Sequence, residues 1–160
     1  MALSMLEKEL VAVGISVAVG CRPCTTYHVG EARRAGATDE AIEKAVASAV
    51  CVRTSATEGM RCHALGLEPG ASSCGCNVPE ALAELVAIGA SLGVNCTANI
   101  NKHLAAAHSI GVPQEHLDEV FALVQKIRLR AISHGEAGFV GEGAAPTACG
   151  TPVPASSGCC

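Results

Sequence analysis

The sequence has no tryptophan, and its 160 residues include only three aromatic side chains, Tyr27, Phe121 and Phe139. Base-stacking platforms are thereby excluded, and a formal net charge of -4 speaks against a phosphate-binding surface. No nucleic acid is expected as a partner. Charge is scarce as well, with 16% charged residues against 49% hydrophobic ones. That balance excludes a disordered polymer and demands a buried core, which has to be assembled from Ala, Val, Ile and Leu. Long apolar runs are also missing. The longest, residues 10–19, is interrupted by Gly14 and Ser16 and falls far short of a bilayer span, so no membrane association is expected. The first nine residues have no basic cluster and already carry Glu7 and Glu9, unlike a secretory signal. The expected compartment is the cytoplasm, where ten cysteines stay reduced and serve metal binding or redox work.

Comparison of the chain with itself at a shift of 75 residues aligns Glu9, Leu10, Val11 and Ala12 with Glu84, Leu85, Val86 and Ala87. The register then holds without a gap through Gly14 and Gly89, Cys21 and Cys96, His28 and His103, Gly36 and Gly111, and Arg53 and Arg128. Fifteen of 48 aligned positions are identical. We read a tandem duplication, with a first copy at 1–60, a Gly/Ser/Cys linker at 61–75, a second copy at 76–135 and a flexible cysteine-containing tail at 136–160.

Each copy predicts three helices. Leu6, Leu10, Val13 and Val17, and then Leu82, Leu85, Ile88 and Leu92, recur at three- and four-residue spacings that fit a buried helical stripe. The β-branched residues of 11–19 would also suit a strand, but the aligned stretch is richer in Leu and Ala, which favours helix for both. A second helix is predicted over 22–35, ending at Gly36, and a third from an N-cap at Thr38, with Pro113 at the aligned place in the second copy. Ile42, Ala45, Val46, Ala49 and Val50 form its apolar positions. The fold class is all-α, a bundle of duplicated multihelical repeats.

The chemistry concentrates in Cys21-Arg22-Pro23-Cys24 with His28 beyond it and Glu9 before it. Two cysteines three apart at a helix start place both sulfurs on one face, where they can close a disulfide with little backbone movement. Amide dipoles at that end, with Arg22, favour the thiolate nucleophile. His28, one turn beyond Cys24, can take and return the thiol proton. Glu9, on a helix folding back antiparallel, would fix the imidazole tautomer and raise its basicity.

The five-part pattern Glu, eleven residues, Cys-x-x-Cys, three residues, His resembles the alkylhydroperoxidase D-like family, also called the carboxymuconolactone decarboxylase family. The resemblance spans roughly residues 5–135. It implies an all-helical peroxidase of the redox branch, with Cys24 as the peroxidatic residue, Cys21 as the resolving one, and His28 with Glu9 as a proton relay. It further implies a homotrimer, a hydroperoxide or disulfide substrate, a thiol reductant or redox partner protein, and no cofactor. The second copy keeps Glu84, Cys96 and His103 but has Asn99 where the partner thiol should be, so a structural role is expected there.

Other readings of the cysteines stand beside this one. Structural zinc would need a second ligand pair, and Cys51, Cys62 with His63, Cys74 with Cys76, and Cys149 offer none at a standard finger spacing. A thioredoxin fold would need alternating strands and helices that the pattern lacks. Cys51 and Cys62 read as small core hydrophobes, Tyr27 as a core residue in preference to one packed beside the motif, and His108, His116 and His134 as surface residues. Cys74, Cys76, Cys149, Cys159 and Cys160 fall in segments with no core to bury them. They are candidate ligands for a soft metal or metalloid such as arsenite, mercury or copper(I), or a relay of electrons to Cys21 and Cys24. Non-redox lactone or decarboxylation chemistry is the third possibility, and would have to survive loss of both motif cysteines.

Overall fold

A computed structural model of the chain describes residues 2–68 and 80–140. Six helices follow one another, α1 (Met5–Val19), α2 (Arg22–Arg34), α3 (Asp39–Leu65), α4 (Ala81–Gly93), α5 (Thr97–Ser109) and α6 (Gln114–Val140). No strand occurs among the described residues, and no described helix is long and apolar enough to cross a membrane. The all-α expectation holds.

Local signals set the helix boundaries. Ser4 and Glu7 form a reciprocal capping box at the start of α1, the serine hydroxyl accepting from the Glu7 amide and the Glu7 carboxylate accepting from the Ser4 amide. Thr38 caps α3 as expected, its hydroxyl accepting from the Ala41 amide at 3.2 Å. The turn after α1 passes through Gly20 in the left-handed region at φ 77°, and the aligned turn after α4 passes through Asn95 at φ 57°. Asparagine is among the few side chains that tolerate this conformation, which explains how the second turn survives without glycine. The Arg53 guanidinium, reaching from α3, donates to the carbonyls of Val17 and Ala18 at the last turn of α1.

Two helices run further than the sequence suggested. Residues 61–65, read as linker, continue α3 until Gly66 stops it at φ 64°, with the Arg61–Glu58 ion pair on its last turns. Helix α6 continues past 135 to Val140, carrying Gly135 and Gly138 inside it. Residues 69–79 and 141–160, the rest of the expected linker and tail, lie outside the described residues, and with them Cys74, Cys76, Cys149, Cys159 and Cys160.

The centre of the bundle is the α1–α4 pair, against which the other four helices pack. Neither central helix is an amphipathic stripe. All residues from Leu10 to Ser16 are buried, and so are all from Glu84 to Ser91. A helix apolar on every side belongs in the middle of a fold, and burial on every side overrides the strand preference of its valines. Close approach is made possible by the aligned glycines. A Cβ on Gly14 would stand 2.7 Å from Val86 Cγ1, and one on Gly89 would stand 2.9 Å from Ile15 Cγ1. Those neighbours are buried and β-branched, so they have little freedom to yield. Gly89→Val is therefore expected to lower stability by about 1–3 kcal/mol. An unchanged urea midpoint would refute the close-packed account of this crossing.

The core is aliphatic, as the composition required. Tyr27 is a correction, for it is exposed, as are Phe121 and Phe139. On α2 it faces outward because Cys24 and Ala32 occupy the buried side. Val50 is likewise exposed, whereas Ile42, Ala45 and Ala49 are buried as expected.

Candidate active site

The Gly20 turn sends the chain from α1 directly into α2, so that Cys21 becomes the N-cap and Cys24 the third residue of the helix. Their Cα atoms are 5.3 Å apart and their sulfurs form a disulfide. Both cysteines are buried. The Cys24 amide donates to Cys21 Sγ at 3.2 Å, and the Thr25 hydroxyl donates to the Cys21 carbonyl at 3.0 Å. Once the bond is opened, an N–H aimed at Cys21 together with the positive end of α2 stabilises a thiolate there.

One turn on, His28 Nδ1 and Glu9 Oε2 are 2.8 Å apart, both side chains being largely but not wholly covered. The antiparallel return of α2 along α1 brings them together across 19 residues of sequence. With the carboxylate accepting from Nδ1–H, the basic nitrogen left for chemistry is Nε2. The Tyr27 ring stands edge-on to His28, with 5.0 Å between ring centroids, so the tyrosine borders the site from the solvent side.

A third side chain joins the cysteines from the far end of the sequence. A ring nitrogen of His134 and the sulfurs of Cys21 and Cys24 all lie within 4.8 Å of one another. His134 is exposed, as the sequence suggested, but it has the company that its sequence neighbourhood does not reveal. Helix α6 belongs to the second half of the chain, and it packs over α1 and α2 of the first.

A cleft of about 610 Å³ flanks the first turn of α2, lined by Ser16, Arg22, Pro23, Thr25 and Thr26 among others. Ser16 Oγ is fully buried and makes no hydrogen bond, the single such buried side-chain atom among the described residues. The aligned Ser91 hydroxyl, by contrast, donates to the Ala87 carbonyl at 2.6 Å.

The second half repeats the helical plan with one cysteine in place of two. Cys96 caps α5 with backbone angles close to those of Cys21, and it is a free, partly buried thiol. Asn99 stands where the partner thiol would be. Its side-chain amide donates to the Val52 carbonyl at 3.3 Å and to the Ser55 hydroxyl at 2.9 Å, pinning α5 to α3. His103 Nδ1 and Glu84 Oε2 are again 2.8 Å apart, but here both are sealed inside the protein. Of the remaining cysteines, Cys62 is buried and Cys51 is partly buried.

Residues 2–65 match the profile of the carboxymuconolactone decarboxylase family. No curated protein and no solved structure gives a significant match.

Proposed function

We propose, from the match of residues 2–65 to the carboxymuconolactone decarboxylase family, that the chain is a thiol-dependent hydroperoxide reductase cycling Cys21 and Cys24. The observation that carries the reading is the disulfide at the start of α2 beside a histidine already oriented by a carboxylate. The matched family covers both decarboxylases and peroxidases, and a pair of cysteines at a helix start that can close a disulfide favours the redox branch.

The cycle balances with these residues. His28 Nε2 takes the Cys24 proton, and the thiolate attacks the distal peroxide oxygen. The O–O bond breaks, Cys24 becomes a sulfenic acid, and the proton returns to the leaving alkoxide to give an alcohol. The Cys21 thiol then gives up its proton, its sulfur attacks the sulfenic sulfur, and the departing hydroxide takes that proton to leave as water as the disulfide forms. A dithiol or a redox partner protein supplies two electrons and two protons to reopen it. Reduced full-length protein treated with one equivalent of an organic hydroperoxide should yield one equivalent of alcohol and a Cys21–Cys24 bond on mass mapping. Peroxide consumption without that bond would sink the proposal.

The cleft beside α2 suits the peroxide's organic group, which would lie against Pro23, Thr25 and Thr26.

We also assign a homotrimer to the functional form. Phe121, Leu129 and Ile132 are exposed along one side of α6, and burying them between subunits would enlarge a small aliphatic core. Light scattering should return a mass near three times 16.1 kDa, and a monomer would overturn the assignment.

A further inference from the structure

We propose that, when the disulfide is reduced, Cys21, Cys24 and His134 bind a single zinc ion. The three ligand atoms already lie within 4.8 Å of one another, although His134 is 110 residues along the chain from Cys24. No carboxylate takes part in the grouping, so it is not a chance gathering of surface acids. Two thiolates and an imidazole are the donors that Zn²⁺ prefers, and their summed charge of -2 leaves a neutral complex. Opening the disulfide lets the sulfurs move apart to span a metal about 2.3 Å from each, with the histidine nitrogen about 2.0–2.1 Å away.

The surroundings favour the metal-bound state of the thiols. The Cys24 amide already points at Cys21 Sγ, and both cysteines stand at the positive end of α2, which suits the negative charge of two thiolate ligands. Both cysteines are buried while His134 is exposed, which shields the sulfur side of the ion and leaves a fourth position for water. Reduction by a dithiol delivers two electrons and two protons to the pair; zinc then displaces those two protons. The disulfide form has no thiolate to offer. Binding is therefore gated by oxidation, and a bound ion keeps Cys24 from reacting.

The inference does not rest on the peroxidase reading, because it needs only the reduced pair and the α6 histidine. Its test uses the full-length chain with Cys74, Cys76, Cys149, Cys159 and Cys160 replaced by Ser, reduced, and titrated with Zn²⁺ alone against a chromophoric chelator. One equivalent should bind, and it should protect Cys21 and Cys24 from alkylation as mapped by mass spectrometry. Co²⁺ in its place should give a thiolate charge-transfer band and the intense visible bands of a four-coordinate site. His134→Ala should weaken zinc at least tenfold, no less than the loss of a supporting outer partner does. His134→Cys, which restores a third ligand, should recover most of the affinity and shift the cobalt spectrum. Absence of stoichiometric zinc in the reduced protein would overturn the proposal. So would a His134→Ala protein of native helicity that binds as tightly as its parent. Peroxide turnover can fail while zinc binds, or persist while it does not, so the two proposals fall separately.

Discussion

Cys24→Ser is expected to remove hydroperoxide turnover, by at least about a thousandfold, because a serine hydroxyl at this place has neither the acidity nor the polarisability to attack an O–O bond. Cys21→Ser should behave differently. It keeps the attacking sulfur and loses only the resolving one, so a single turnover should proceed and leave Cys24 as a sulfenic acid that a 1,3-diketone can trap. Cys21 is the N-cap whose sulfur accepts the Cys24 amide, and Cys24 is the cysteine one turn before His28. In the proposed cycle the two thiols are activated by different groups, the first by the helix end and the second by the imidazole. Rapid-quench measurement of alcohol released per chain distinguishes the variants: none from Cys24→Ser, one equivalent from Cys21→Ser. If Cys24→Ser released a full equivalent and Cys21→Ser none, the roles of the two sulfurs would be reversed. Full steady-state activity in Cys24→Ser would end the peroxidase reading.

The part of this site that is local in sequence was legible in it. The spacing of Cys21, Cys24 and His28 places all three within two turns of one helix, and the alignment of Glu9 with Glu84 singled out the carboxylate that the fold brings to the ring. The start of α3 was readable for the same reason, since Thr38 caps it within three residues of itself. What could not be read depends on tertiary placement. His134 looks like any polar residue late in an amphipathic helix, and only the packing of α6 against α2 brings it to the sulfurs. The complete burial of α1 and α4 was understated by a stripe reading, because four neighbours surround a central helix where a surface helix has one covered side. Tyr27 reads as a core residue, and its outward position beside His28 follows from Cys24 taking the buried face of α2. The ends of α3 and α6 were missed since no proline or left-handed residue stops them where the sequence similarity fades.

Glu84→Ala is expected to cost about 3–5 kcal/mol of folding stability, far more than the same change at Glu9, although both carboxylates accept from a histidine Nδ1 at 2.8 Å. The difference lies in access to water. The Glu84 and His103 side chains are 5% and 1% exposed, against 15% and 16% for Glu9 and His28. Removing Glu84 leaves the His103 ring with an unmet donor where no solvent reaches, and also opens a hole beside the α4–α5 contact. At Glu9 water can take the vacated place, so the fold should lose about 1 kcal/mol while the pace of proton transfer from Cys24 falls. Glu84→Gln separates the two contributions, for its amide oxygen still accepts from Nδ1–H and its volume is unchanged; it should cost well under half as much as Glu84→Ala. Urea unfolding of the three variants, read together with single-turnover peroxide kinetics, gives the comparison. Equal destabilisation by Glu84→Ala and Glu9→Ala would mean that burial does not set the worth of these pairs. The assignment of one pair to catalysis and the other to structure would then lose its physical basis.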